Sequence, residues 1–117
     1  MRRLVTVCEM TAFARKAEKL WSPEERDEFI DFISRNPDAG DLIEGTGGAR
    51  KVRWARRGMG KRGGTRVITY FYDETMPVFL FTLYAKNEQS DIGPEDKRTL
   101  VATITALKAT RNVRRLS

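Results

Sequence analysis

Hydrophobic residues in the first third of the chain recur at the spacing of amphipathic helices. A short strand over residues 3–7 is predicted first, and a helix over residues 9–20 follows it, with an apolar side made of Met10, Phe13, Ala14, Ala17 and Leu20. Ser22 can cap a second helix, Pro23 suits its first turn, and Glu25 completes a capping box. This second helix is predicted to bury Phe29, Ile30, Phe32 and Ile33.

Polar and apolar residues alternate in the middle of the chain, which predicts strands. Three strands are expected over residues 49–56, 65–72 and 77–86, after a loop with a short strand at 41–43. In the first of the three, one face carries Val52 and Trp54, and the other carries Lys51, Arg53 and Ala55. In the last, strict alternation puts Leu80, Thr82, Tyr84 and Lys86 on one face and Phe79, Phe81, Leu83 and Ala85 on the other.

A final helix is predicted to begin at Pro94 and to turn Leu100, Val101, Ile104 and Leu107 inward, with a frayed basic tail over residues 110–117. The order β-α-α-β-β-β-α, with one more short strand, is typical of the α+β class. We therefore expect a compact fold with an antiparallel sheet of four to five strands, two N-terminal helices and one C-terminal helix. The whole chain, residues 1–117, reads as a single domain.

Composition narrows the possible chemistry. The chain has no His and only one cysteine, Cys8. This composition argues against zinc and haem sites, and the lack of His excludes a Ser-His or Cys-His catalytic couple. Arg, Lys, Tyr, Glu and Asp remain as candidate catalytic side chains, and no metal or other cofactor is expected. No apolar run is long enough for a membrane span and no signal peptide follows Met1, so a cytoplasmic protein without a membrane partner is predicted.

Positive charge is concentrated in one short block. The chain has 22 Lys and Arg against 16 Asp and Glu, a formal net charge of +6. Residues 45–72 contain no acidic residue but hold eight basic ones: Arg50, Lys51, Arg53, Arg56, Arg57, Lys61, Arg62 and Arg66. Such a block on a small domain is typical of a surface that binds a polyanion, most often a phosphate chain.

The positions of these charges suggest a site. If the strands pair as hairpins, Lys51 and Arg53 meet Arg66 on the next strand and Tyr84 and Lys86 on the last one. The alternative is an ordinary solvated strand face. The loop from Gly58 to Gly64 holds Lys61 and Arg62 among four glycines, and it either contacts phosphates or is only a flexible hairpin turn.

Three segments together resemble the RelE/HigB family of toxins from type II toxin–antitoxin modules, closest to its HigB-like branch. They are Gly45-Thr46-Gly47-Gly48-Ala49-Arg50-Lys51-Val52-Arg53, Gly60-Lys61-Arg62-Gly63-Gly64-Thr65-Arg66-Val67-Ile68 and Tyr84-Ala85-Lys86-Asn87-Glu88. The resemblance implies a ribosome-dependent endoribonuclease that cleaves mRNA in the ribosomal A site and inhibits translation. It also implies a cognate antitoxin, the ribosome with its rRNA, and mRNA as partners.

The resemblance implies roles for individual residues. The catalytic set is Lys51, Arg53, Arg66, Tyr84 and Lys86, and the set that binds RNA or the ribosome is Arg50, Arg56, Arg57, Lys61, Arg62, Trp54 and Asn87. Arg66 is expected to bind the charged phosphoryl oxygens, and Arg53 to assist the leaving group. A lysine crowded by cations, Lys51 or Lys86, would act as general base, and a base of the RNA would stack on Tyr84 or Trp54.

Two other interpretations stay open at this point. A basic RNA- or DNA-binding module without catalysis would use the same charges only to neutralise phosphates. An inactive relative would act with its antitoxin as a transcriptional co-regulator. Cleavage of mRNA on purified ribosomes separates the first from an enzyme, and toxicity on expression argues against the second.

Overall fold

A computed structural model describes residues 4–55 and 64–116, with side chains as far as residue 110. Within these ranges the helices are α1 (Thr11–Leu20), α2 (Pro23–Arg35) and α3 (Pro94–Leu116). The strands are β1 (Val7–Glu9), β2 (Asp41–Leu42), β3 (Ala49–Trp54), β4 (Thr65–Tyr70) and β5 (Val78–Ala85). None of the described helices is long and apolar enough to cross a membrane.

The five described strands form one sheet in the order β1-β5-β4-β3-β2. The central β3–β4 and β4–β5 pairs are antiparallel, as the hairpin pattern predicts. At the edge, β1 runs parallel to β5, with Val7 opposite Val78, so the sheet is mixed rather than wholly antiparallel. The connection from β1 to β5 passes through two helices and three strands, which allows a parallel pairing that no hairpin could give. The α+β architecture with two N-terminal helices and one C-terminal helix is confirmed.

Helices cover both faces of the sheet. On the α1/α2 face, residues of α1 and α2 pack against strand residues in one apolar cluster, whose members include Phe13, Ala17, Phe29, Ile33, Val52, Val67, Leu80 and Leu83. On the α3 face, a second cluster joins α3 to the sheet and includes Ala49, Ile68, Tyr70, Phe79, Phe81, Tyr84, Leu100 and Ile104. The N-terminus of α2 forms as predicted, since the Ser22 hydroxyl accepts a hydrogen bond from the Glu25 amide at 3.2 Å.

An irregularity in β5 changes which side chains share a face. The register against β4 shifts between Ile68, which lies opposite Thr82, and Thr69, which lies opposite Leu80. The extra residue reverses the alternation beyond it, as a β-bulge does. The prediction that Leu80 shares a face with Tyr84 is therefore wrong, because Leu80 packs with Leu83 on the α1/α2 face.

Two other boundaries differ from the prediction. The first strand lies at Val7–Glu9, whereas residues 3–7 were predicted, so the two ranges share only Val7. The α3 helix continues to Leu116, whereas a frayed tail was expected from residue 110. Along α3, Leu100 and Ile104 are buried and Leu107 packs against them, but Val101 is only partly buried and stays outside the cluster.

Candidate nucleic-acid site

The β-sheet register brings three predicted site residues into one row. Arg53 on β3 lies opposite Arg66 on β4, and Arg66 lies opposite Tyr84 on β5. Lys51 lies two positions before Arg53 on β3 and is therefore on the same face. We call Arg53, Arg66 and Tyr84 the site row. Because three paired strands hold the site row, backbone hydrogen bonds fix the relative positions of the three Cα atoms.

The environments within the site row differ. Arg53 is exposed, whereas Arg66 is only 7% exposed and Tyr84 only 3%. A buried guanidinium presents its charge at a defined place and, like any arginine, does not lose it. The Tyr84 hydroxyl is buried, and no described residue makes a hydrogen bond of ordinary geometry with it. The row therefore contains one exposed cation, one buried cation and one buried phenol whose hydroxyl makes no hydrogen bond of ordinary geometry with a described residue.

A carboxylate that the sequence analysis did not include lies beside these cations. Asp91 is in the loop between β5 and α3, and its Oδ1 lies 3.3 Å from Lys51 Nζ. The same oxygen accepts a hydrogen bond from the Ile92 amide at 2.8 Å. These contacts hold the pKa of Asp91 below its usual range, chiefly through the Ile92 amide and then through Lys51, although partial burial opposes them.

Asp91 also acts on Tyr84, although it makes no hydrogen bond of ordinary geometry with the Tyr84 hydroxyl. Burial is the main cause that raises the pKa of Tyr84, the negative charge of Asp91 adds to it, and Arg66 partly offsets it. The phenol is therefore protonated at neutral pH. The prediction that cations crowd Lys51 is incomplete, because Lys51 also contacts the carboxylate of Asp91. Nothing in the sequence indicated this contact, since the two residues are 40 positions apart.

Trp54 and Arg50 lie on the face of β3 opposite the site row, and the ring of Tyr84 is buried. Trp54 packs on the α1/α2 face, with its ring centroid 5.1 Å from that of Phe29 and 5.3 Å from that of Phe32, so the prediction that it stacks on RNA at this site is wrong. Arg50 lies on the same side of β3 as Trp54 and donates a hydrogen bond from Nη1 to the Gly40 carbonyl at 2.9 Å. Tyr84 belongs to the site row, but its burial leaves no open ring face of the kind that stacking on an RNA base requires.

Lys86 and Asn87 lie at the rim of the site, both exposed in the turn after β5. The Lys86 amide donates a hydrogen bond to the Gly64 carbonyl at 3.1 Å, which ties this turn to the start of β4. Gly64 has a positive φ of 53°, and a side chain there would collide with the Trp54 carbonyl, so only glycine fits this junction. The predicted binding residues Arg56, Arg57, Lys61 and Arg62 lie outside the described residues.

The glycine-rich segment before β3 has a structural role. Thr46 is buried there, and its hydroxyl donates to the Ile43 carbonyl at 2.7 Å and accepts from the Ala49 amide at 3.0 Å. Lys108 on α3 donates to the Gly47 carbonyl at 2.8 Å, which fastens this segment to the helix. Over the described ranges 4–55 and 64–116, no group of three or more His, Cys, Asp or Glu side chains is placed to hold a metal ion.

Comparison with known proteins gives two findings. Residues 10–116 match the family model described as the RelE toxin of the RelE/RelB toxin–antitoxin system. The fold is similar to that of a double mutant of the E. coli toxin RelE in the free state, with a TM-score of 0.59 and 16% sequence identity over 87% of this chain and 99% of that one. At this identity the structural likeness supports the fold, while the family match covers nearly the whole sequence. The chain belongs to the RelE toxin family of type II toxin–antitoxin systems.

Proposed function

We propose that this RelE toxin is a ribosome-dependent endoribonuclease that cleaves mRNA in the ribosomal A site and thereby inhibits translation. The observation that carries the proposal is the site row, in which Arg53, Arg66 and Tyr84 occupy one register of three paired strands. Lys51 lies beside the row on the same face. An enzyme that orients an RNA phosphate needs charged groups at fixed separations, and a sheet supplies such separations better than a loop.

RNA supplies its own nucleophile in this reaction. The 2′-oxygen attacks the phosphorus, the bond to the 5′-oxygen breaks, and a cyclic phosphate and a 5′-hydroxyl result. The 2′-hydroxyl loses a proton and the leaving 5′-oxygen gains one, so that no redox partner or metal is required. The protein then has to position the reacting atoms and stabilise negative charge on the phosphoryl oxygens.

The arginines suit the charge-stabilising part of this reaction. Arg66 is buried in the sheet and can present two N–H groups to the phosphoryl oxygens. Arg53 is exposed at the same register and can follow the leaving oxygen. Tyr84, protonated and without a hydrogen-bond partner, has a free donor for the substrate.

The two lysines differ in how firmly they are held. Lys51 is on β3 and is ion-paired with Asp91, whereas Lys86 is exposed in a turn. An ion-paired lysine is an ammonium group, and an ammonium donates a proton rather than accepting one. We therefore assign Lys51 to the leaving 5′-oxygen as proton donor, in place of the general-base role predicted from the sequence. We assign Lys86 to a contact with an RNA phosphate at the rim of the site.

The partners follow from the family and from the substrate. A toxin of a RelE/RelB system has a cognate antitoxin. We infer that the ribosome, its rRNA and mRNA are the other partners, which would place the action of the protein in the cytoplasm. We also infer that residues 1–117 act as one domain and that the chain falls in the HigB-like branch of the family, on the three segments named above.

The decisive experiment is a cleavage assay on purified ribosomes. A ribosome programmed with a defined mRNA is incubated with the protein, and primer extension locates new 5′ ends. We expect cuts within the A-site codon, none on the same mRNA without ribosomes, and none with the Arg66→Ala variant. Binding to ribosomes without any cut would instead identify a non-catalytic RNA-binding module.

A further inference from the structure

We propose that Asp91 is a positioning residue that holds the Lys51 side chain beside the site row. This inference rests on the proposed endoribonuclease function. It concerns a carboxylate that the charge block does not contain, and that stands in the loop after β5 rather than on a strand.

Asp91 is fixed by its own loop before it contacts Lys51. Its carboxylate accepts the Ile92 amide at 2.8 Å, and its carbonyl accepts the Gln89 side-chain amide at 2.8 Å. The preceding turn is closed by the Glu88 and Gln89 amides, which both donate to the Ala85 carbonyl at the end of β5. The carboxylate is thereby anchored to the same strand that carries Tyr84.

A second carboxylate, that of Asp41, is close enough for Lys51 to contact, but Lys51 does not form a salt bridge with it. Asp41 on β2 lies directly opposite Lys51 on β3, where side chains of paired residues share a face. The salt bridge nevertheless forms with Asp91, at 3.3 Å. This salt bridge directs the Lys51 side chain away from β2 and toward the loop that follows β5. Without Asp91, four rotatable bonds leave the ammonium free to occupy many positions.

The loop contacts of Asp91 do not require its charge, because a neutral amide oxygen could also accept the Ile92 hydrogen bond. The side chain is 63% exposed, and ion pairs this exposed contribute little to stability. A carboxylate beside Lys51 and Lys97 also repels an incoming RNA phosphate, which weakens binding. Placement of Lys51 for the chemical step accounts for both observations, since it improves the reaction at the expense of affinity.

The test compares Asp91→Asn with Asp41→Asn under single-turnover conditions on programmed ribosomes. Asn at position 91 can still accept the Ile92 amide, so the loop is retained, and a thermal melt checks this. We expect Asp91→Asn to lower the maximal cleavage rate by about 10- to 100-fold while ribosome affinity is unchanged or tighter. Asp41→Asn removes the same charge opposite Lys51 and should leave the rate within about twofold, and Asp91→Glu should recover part of the loss.

A second readout does not depend on cleavage. Acetylation of lysines by an N-hydroxysuccinimide ester, followed by mass spectrometry, reports how freely each ammonium reacts. Labelling of Lys51 should rise several-fold in Asp91→Asn, whereas labelling of the exposed Lys86 should not change. Unchanged Lys51 labelling, or equal rates for Asp91→Asn and Asp41→Asn, would overturn the proposal. If the wild-type protein cuts no mRNA, the proposed function fails, and a rise in Lys51 labelling would still show that Asp91 holds Lys51.

Discussion

The two ends of the α3 face of the sheet are built from the same three strands but differ in chemistry. At one end the paired residues are Ala49, Tyr70 and Phe79, which pack beneath α3 in an apolar cluster. At the other end they are the site row of Arg53, Arg66 and Tyr84. Arg53, in the site row, lies only four positions along β3 from Ala49, at the apolar end.

This difference shows how a small domain keeps cations in fixed positions. Hydrophobic burial under α3 holds the strands at one end. Continuous pairing carries that order to the other end, where Tyr84 is the one member of the site row that belongs to the same apolar cluster. The opposite face of the sheet carries the apolar cluster beneath α1 and α2, which adds to the same support. The comparison predicts that substitutions in the apolar regions change stability, whereas substitutions in the site row change rate.

The largest expected effect is on stability, from Phe29→Ala. Phe29 is fully buried on the α1/α2 face, and its ring lies 5.3 Å from Trp21 and 5.1 Å from Trp54. Loss of a buried aromatic ring should lower the free energy of unfolding by about 3–5 kcal/mol, measured by urea denaturation. Leu42→Ala is the control, because Leu42 is 64% exposed on β2, and it should change the value by at most about 0.5 kcal/mol. A stable Phe29→Ala variant without activity would contradict a purely supporting role for this face.

Next in size is the effect of Arg66→Ala on catalysis. Loss of one charge contact to the transition state should slow single-turnover cleavage about 10²–10³-fold, equivalent to about 2.7–4 kcal/mol. Arg66→Lys should recover little of it, because an ammonium cannot present the paired N–H groups of a guanidinium. The thermal midpoint of both variants should stay near that of the wild type. A large fall in the midpoint with residual activity per folded molecule would show that Arg66 belongs to the core rather than to the site.

The arrangement of the site row was accessible from sequence because two simple rules fix it. Alternation along β3 puts Lys51 and Arg53 on one face, and hairpin pairing brings Arg66 opposite Arg53. The same alternation already places Trp54 on the opposite face, so the expectation that Trp54 stacks on RNA conflicted with the strand pattern itself. A role inferred from resemblance needs to agree with the face on which the residue lies.

Other features had no signal in the hydrophobic pattern. The register shift in β5 depends on the pairing with β4, and every residue of β5 from Val78 to Tyr84 is buried, so alternation of polarity could not reveal it. The parallel pairing of β1 is a contact between distant parts of the chain. Asp91 lies in an irregular loop, and only the folded structure brings it to Lys51.

A smaller effect, with opposite signs for stability and activity, is expected of Tyr84→Phe. The Tyr84 hydroxyl is buried without a hydrogen bond, so its removal should leave stability unchanged or raise it by up to about 1 kcal/mol. If the hydroxyl donates to the substrate, cleavage should slow about 10-fold, since one neutral hydrogen bond contributes about 1.4 kcal/mol. Tyr70→Phe is the matched control, because the Tyr70 hydroxyl is also buried without a hydrogen bond but lies at the apolar end.

The stability of the wild-type protein and of these two Phe variants should depend differently on pH. Burial raises the pKa of both Tyr70 and Tyr84 above the ordinary value of a tyrosine. A tyrosine whose pKa is raised in the folded state contributes to the free energy of unfolding. This contribution is fully present below about pH 10 and is lost as the pH rises through the pKa of the folded state. Thermal melts between pH 9 and 11 should therefore show a shallower loss of stability in either Phe variant than in the wild type. Equal slopes in all three proteins would contradict the burial of these phenols.

The smallest expected effect is that of Lys86→Ala on ribosome binding. Lys86 is exposed at the rim, and its backbone is fixed to Gly64 by a hydrogen bond of 3.1 Å, so its removal should not disturb the strands. A single phosphate contact should reduce the slope of log affinity against log salt by about one unit. The measurement is ribosome binding between roughly 50 and 300 mM salt, a range over which such a change in slope is resolvable.

The control and the rate decide whether Lys86 belongs with the site row or with its rim. Lys19→Ala removes one positive charge from the exposed end of α1, on the other side of the sheet, and should leave the salt slope unchanged. The single-turnover rate of Lys86→Ala at saturating ribosomes should stay within about threefold of the wild type, because a turn residue does not hold catalytic geometry. A normal salt slope with a strongly reduced rate would move Lys86 into the catalytic set and would extend the charged end of the sheet beyond the last paired residue of β5.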